Sequence, residues 1–194
     1  GGRRGGPSEG WALAPRRLGM RSHFQGGGSD LAFPHHEFSA AHAEAASGER
    51  PFARFYVHAA MIGLDGVKMS KSLGNLVRVQ TLRDQGVDPS LIRLGLAAGH
   101  YRTDRSWSAE ILEAARARHQ RWSRAIACGA GADADAAIAA LRARLADDLD
   151  TPGALKAIDS WAAATLEGDS SDVNAGASVA TALGALLGVR ITAA

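Results

Sequence analysis

Large apolar side chains return at helical spacing through the whole second half of this 194-residue chain, and no other feature restricts its fold as much. From Ser108, a helix is expected to carry Ile111, Ala115, Trp122 and Ile126 on one face and to end at Gly129 or Gly131. A second, over roughly 135–149, puts Ile138, Leu141 and Leu145 on one stripe. A third starts with Thr151 as N-cap and Pro152 at the first helical position, with Leu155, Ile158 and Trp161 turned inward. After the polar loop 168–174, a fourth runs through Val179, Leu183 and Leu186 to Gly188. Each stripe must be buried against another, so 104–194 is expected to form an all-α bundle. Alanine is abundant here, but no repeat of fixed period exists.

The preceding segment has a different grammar. Residues 1–24 are rich in glycine, arginine and proline without helical or alternating period, and read as a disordered leader. Gly26–Asp30, GGGSD, reads as a flexible polar turn that leads through a loop into a helix stopping at Gly48. Ala53–Ile62 has the aromatic and β-branched content of one buried strand, closed by the turn at Gly63–Gly66. A short extended piece at 76–80, a helical turn at 81–85 and a proline-started helix at 89–98 complete a mixed α/β region over 25–103.

Composition narrows the function classes. With 22 basic against 20 acidic side chains, a net charge of +2, there is no large excess of positive charge to track a nucleic-acid backbone. The lone Cys128 excludes a disulfide framework and a multi-cysteine zinc knuckle within the chain, which fits a reducing cytoplasm. No apolar run reaches the ~20 residues needed to cross a bilayer, so no membrane role is expected.

Three clusters can carry chemistry. Val67–Asn75 reads VKMSKSLGN directly after the turn dipeptide Asp65-Gly66. Lys68 and Lys71 sit on flexible stems that can follow negative charge as a pyrophosphate leaving group forms. Ser70 and Ser72 can donate hydrogen bonds, and Gly66 and Gly74 flank the loop as hinges. In the second cluster, glycines let a backbone approach a nucleotide and an acidic residue can accept from ribose hydroxyls, which makes Gly28, Ser29 and Asp30 a candidate nucleoside cradle. The third groups His35, His36 and His42 with Glu37 and Glu44, read either as metal ligands completed from elsewhere or as hydrogen-bonded structural histidines.

Lys-Met-Ser-Lys-Ser at 68–72 is the complete signature loop of the class I aminoacyl-tRNA synthetases and their relatives. Together with GGGSDLAFPHHE at 26–37, HAAMIG at 58–63 and GHYR at 99–102, it resembles cysteinyl-tRNA synthetase and its sister family, the mycothiol-pathway cysteine ligase, from about Gly26 onward. The resemblance implies an α/β fold, the C-terminal part of a Rossmann-like class I catalytic domain followed by the helical bundle. It also implies ATP as a substrate, activation of L-cysteine as cysteinyl-adenylate with release of pyrophosphate, and a zinc ion that selects cysteine through its thiolate. On this resemblance His35 matches the histidine zinc ligand, while Gly28, Ser29 and Asp30 match the adenylate-contacting segment. Ile62 matches the backbone position beside the adenine, and Lys68, Met69, Ser70, Lys71 and Ser72 match the signature loop.

Two details separate the sister families. Cysteinyl-tRNA synthetases read HHENE where this chain reads HHEFS, so Ser39 replaces a further zinc ligand, as in the ligase. The C-terminal helices offer no basic patch for RNA. The favoured acceptor is therefore the amine of glucosaminyl-inositol, handled by a cytoplasmic monomer, with tRNA as the acceptor under the alternative and a non-catalytic interaction module as a third reading. The families' HIGH-type motif and two cysteine zinc ligands have no counterpart here, which leaves zinc only His35. Residues 1–24 accordingly read as a mis-framed leader on the C-terminal half of a longer enzyme, and the chain alone is expected neither to hold zinc nor to activate cysteine.

Overall fold

The computed structural model describes residues 22–70 and 72–191. They fall into two compact units, one built on the chain up to Met61 with Arg102–Asp104, the other on Ile62–Tyr101 and the chain from Arg105 onward.

The first unit is a βαβ element. Strand β1 (Ser22–Gly28) is followed by a 3₁₀ turn (Ser29–Leu31), a kinked π-helical turn (Ala32–His36) in which Phe33 is extended, and helix α1 (Glu37–Ser47), and the chain returns as β2 (Ala53–Ala59). The two strands pair in parallel, Phe24 opposite Phe55 and Gly28 opposite Ala59, as a helical crossover requires. Four expectations change here. The glycines 26–28 are not a turn but the end of β1, and β1 starts at Ser22, inside the segment read as leader. The expected buried strand stops at Ala59, and Ile62 begins a separate strand of the other unit. The aromatic residues of β2 are not buried either: Phe55 is 60% exposed, and its cross-strand neighbour Phe24 56%. A parallel pair hides both faces only when layers lie on both, and the core of this unit is small, with Ala43 of α1 against Phe52 and Ala53.

The second unit opens with β3 (Ile62–Leu64) and β4 (Val67–Lys68), an antiparallel hairpin, and β5 (Arg105–Trp107) joins β3 in parallel. The hairpin turns on Asp65 and Gly66 with φ of 48° and 82°, the doubly left-handed pair of a type I′ turn, for which Asp-Gly is a preferred sequence. Helix α2 (Val79–Asp84) precedes α3 (Pro89–Ala97), whose N-cap Asp88 accepts from the Ser90 N–H at 2.7 Å.

Helices α4 (Ala109–Ala127), α5 (Ala134–Ala146), α6 (Thr151–Leu166) and α7 (Ala175–Ala182) form the expected bundle. Its core contains the fully buried Trp122, Leu141, Leu155, Ile158, Val179 and Leu183. Both core indoles are satisfied: Trp122 Nε1 donates to Asp159 at 2.9 Å and Trp161 Nε1 to the Ala132 carbonyl at 3.0 Å. Asp159 also receives Arg118 and Arg121, so one carboxylate ties α4 to α6.

Local chemistry moves some predicted boundaries. The N-cap of α6 is Asp150, not Thr151, because the Asp150 carboxylate reaches the Gly153 N–H at 2.9 Å and leaves Thr151 as the first helical residue. Helix α5 stops at Ala146, and Asp148 and Leu149 beyond it have φ of 50° and 55°. After α7 the chain widens into a π-helical turn, Leu183–Leu187. The extra residue rotates the stripe, so Leu187 is buried in place of the expected Leu186.

Candidate functional site

The signature loop leaves β4 in the second unit. Lys68 is the last residue of that strand, exposed, in register with Gly63. Met69 turns inward. With Ile62, Val77, Leu82, Ile92 and Trp107 it lines an apolar pocket of about 170 Å³, and its sulfur accepts from the Val77 N–H at 3.4 Å. The structure thus brings together two residues that sequence reasoning placed in separate roles, Ile62 and Met69.

The rest of the loop is held by its own polar groups. Asn75 Oδ1 accepts from the Ser70 N–H at 2.9 Å while its Nδ2 donates to the Lys68 carbonyl at 3.2 Å, so one amide clips both sides of Met69. The Ser70 and Ser72 hydroxyls lie 3.1 Å apart, and Ser70 Oγ accepts from the Leu73 N–H at 3.2 Å. Both serines therefore sit in the loop's internal network. Lys71 lies outside the described residues. Sequence reasoning gave Asn75 no role, and its clip could have been found only by asking where the loop's backbone hydrogen bonds go.

The other candidate residues sit in the first unit, where β1 ends. Gly28 is the last residue of the strand, and Ser29 and Asp30, both exposed, form the 3₁₀ turn after it. The backbone here is closely approached from one side. A Cβ on Gly27 would lie 2.7 Å from Cε1 of the His36 imidazole, and one on Gly28 would meet the Asp30 carboxylate at 2.6 Å.

His35 is half-buried on the π-helical turn. Ser39 is buried and donates to the His35 carbonyl at 2.8 Å, which fixes the turn one helical step below it. His36 is buried, and its Nδ1 lies 2.8 Å from Nε2 of His58 on β2, one nitrogen donating and the other accepting. The pKa of His36 lies below its ordinary value, chiefly because burial disfavours the cation, and further because of His58 and His35. His58 was missed from the sequence, since its partner is distant along the chain and no local pattern marks it.

Among the described residues the donor set does not fit a zinc ion. His36 and His58 spend facing nitrogens on each other, and Cys128 is exposed at the end of α4 in the other unit. Among the described residues no group of three or more His, Cys, Asp or Glu side chains is placed to hold a metal, so His35 lacks co-ligands here. Nor, among the described residues, is any helix long and apolar enough to cross a membrane.

Comparison with known proteins converges on one family. The model of the tRNA synthetases class I (C) catalytic domain matches residues 1–117, and so takes in the glycine-rich strand end, the histidines and the signature loop. The L-cysteine:1D-myo-inositol 2-amino-2-deoxy-alpha-D-glucopyranoside ligase of Mycobacterium sp. (strain KMS) is 61% identical over 180 residues, 93% of this chain and 43% of that protein. The ligase of the same name from Tsukamurella paurometabola is 59% identical over 182 residues, 94% of this chain and 44% of that protein. At such coverage the alignments reach into residues 1–24. The chain therefore spans less than half the length of these relatives. Among solved structures, agnB2 LeuRS of Agrobacterium radiobacter K84, crystallised in a ternary complex with tRNA and LeuAMS, superposes on 85% of this chain and 26% of its own. That match has a TM-score of 0.64 at 18% identity and speaks for the fold alone. The fold is thus α/β and class I synthetase-like, and the chain belongs to the family of class I (C) tRNA synthetase catalytic domains.

Proposed function

We propose that this chain is part of an ATP-dependent cytoplasmic ligase that activates L-cysteine as cysteinyl-adenylate and transfers it to the amine of glucosaminyl-inositol. The observation that carries this reading is the 61% identity to a ligase named for cysteine and that amino sugar, over 93% of the chain. The complete signature loop supports the ATP half of the reaction, and Ser39 supports the amino sugar over tRNA.

Each candidate residue has a role under this reading. Lys68 and Lys71 offset the charge that builds on pyrophosphate as it leaves. Met69 anchors the loop in its apolar pocket, and Ser70 and Ser72 set the loop's shape from within. Gly28 gives close backbone approach, Ser29 and Asp30 supply polar groups to the nucleoside, and Ile62 offers its backbone to the adenine. In the second half-reaction the neutral amine attacks the adenylate carbonyl, forming an amide and expelling AMP, so the ammonium form of the amino sugar must first lose its proton. Zinc at His35 is a property of the longer enzyme under this reading, since His35 has no co-ligands among the described residues.

A segment exchange tests the proposal. Residues 26–194 replace the matching segment of the Mycobacterium sp. (strain KMS) ligase, and AMP release is followed with cysteine, ATP and each acceptor. The chimera is expected to release AMP in response to glucosaminyl-inositol, and the isolated chain to show no cysteine-dependent exchange of pyrophosphate into ATP. A folded chimera that is inactive, or one stimulated by tRNA in place of the amino sugar, would overturn the assignment.

A further inference from the structure

A cavity of about 910 Å³ lies wholly within the second unit, between α3, the start of α6, the segment that follows α5 and the chain after the final π-helical turn. Its size falls in the range of small-molecule pockets, ~300–1,000 Å³. Much of its wall is apolar, with Ile92, Leu96, Leu145, Leu149, Leu186 and Leu187. The same lining includes three arginines, Arg93 and Arg190, both exposed, and the partly buried Arg105.

The lining carries more positive than negative charge, three arginines to one aspartate. Among the described residues none of the three arginines is ion-paired with a carboxylate. Asp88 is the acidic residue of the lining, and its carboxylate caps α3 through the Ser90 N–H. Arg105 has a structural duty, donating to the carbonyls of Leu96 at 2.9 Å and His100 at 2.8 Å at the end of α3, and burial holds its pKa below the ordinary value. Arg93 lies along Gly188, its Cζ 3.1 Å from the place a Cβ would occupy there. Arg190 is set beside the same helix, because its backbone N–H donates to Ser90 Oγ at 3.1 Å and its carbonyl accepts from His119 Nε2 at 3.0 Å. The backbone on both sides of the cavity is thus fixed, and three arginines share the lining with one carboxylate, Asp88, an excess of positive charge. An excess of one sign of charge along a cleft with apolar walls attracts an anion, here from the open side on which Arg93 and Arg190 are exposed to solvent.

We infer that this cavity is a binding site for a small organic anion, with a phosphate or carboxylate head between the arginines and an apolar body against the leucines. The site is independent of the cysteine chemistry proposed above and of the signature loop, and it assigns a ligand to residues that reading leaves unused.

Calorimetric titration of the purified chain with octyl phosphate, octanoate and octanol, all below their aggregation concentrations, tests this. Octyl phosphate is expected to bind one to one and at least tenfold tighter than octanol, with octanoate between them or equal to the phosphate according to which head group the site prefers. The R93A/R190A chain, its fold checked by circular dichroism, is expected to lose the preference for an acidic head, and R93K/R190K to keep most of it. Methyl resonances of Leu149 and Leu186 in the unsubstituted chain are expected to shift with octyl phosphate, which locates the site without any substitution. Equal binding of octanol, an undiminished preference in R93A/R190A, shifts confined to the exposed aromatic residues of the first unit, or no binding at millimolar octyl phosphate would each overturn the inference.

Discussion

His36 Nδ1 and His58 Nε2 face each other across 2.8 Å, and the burial of His36 in that pairing makes the first unit sensitive to acid. The folded imidazole of His36 resists protonation because it is buried beside two other histidines, while the unfolded one titrates near its ordinary 6.5. Where the unfolded state binds more protons, stability rises with pH, so this contribution is complete above about pH 6.5 and declines as pH falls below it. Hydrogen exchange of the β2 amides is expected to quicken between pH 7 and pH 5 beyond its intrinsic pH dependence, and His36→Gln to flatten that change. A second residue-scale prediction concerns Asn75, which bonds both the Lys68 carbonyl and the Ser70 N–H. Losing both bonds, about 1 kcal/mol net for each or roughly 2 kcal/mol together, opens a local structure about thirtyfold more often. Tryptic cleavage after Lys68 is expected to accelerate about that much in Asn75→Ala and much less in Asn75→Asp, which keeps the acceptor. Unchanged cleavage would mean that Met69 and its pocket hold the loop without the clip.

At the scale of elements, the bundle owes its joint between α4 and α6 to Asp159, whose carboxylate serves Arg118, Arg121 and the buried Trp122 indole. Asp159→Ala leaves that indole N–H without its acceptor and two guanidiniums without their counter-charge. The expected loss is about 2 kcal/mol, read as a lower denaturation midpoint at unchanged slope. Asp159→Asn keeps an acceptor for the indole and is expected to lose about half as much. The helices themselves were legible in the sequence, because Leu141, Leu155, Ile158 and Val179 recur with the helical period and are all fully buried. The ends were less so. Asp150 and Thr151 are both good caps, and only the geometry of the Gly153 N–H decides between them. The exchange of Leu186 for Leu187 follows from one extra residue in a turn, which a pattern of fixed period cannot anticipate.

For the molecule as a whole, the α/β-then-helical order was readable from composition and period, whereas the long-range partners were not. Glycines 26–28 looked like a turn because glycine is rare in strands, and only pairing with β2 makes them one. The signature loop was legible in full as a motif, yet its anchoring in a pocket with Trp107 was not, because β5 arrives some forty residues later in the chain. The exposed pair Phe24 and Phe55 gives a whole-chain prediction: side chains more than half exposed bury little on folding. The doubly substituted F24S/F55S chain is expected to unfold within about 0.5 kcal/mol of the original, in urea melts at equal protein concentration. The pocket around Met69 has one more consequence. Trp107 is an intrinsic fluorophore beside the thioether that moors the signature loop, whereas Trp122 and Trp161 lie in the bundle core. A loop that shifts withdraws that sulfur and alters the polarity at the Trp107 ring, so the protein carries its own optical gauge of loop position, readable without a label as the part of the emission that Trp107→Phe removes from that of the four tryptophans.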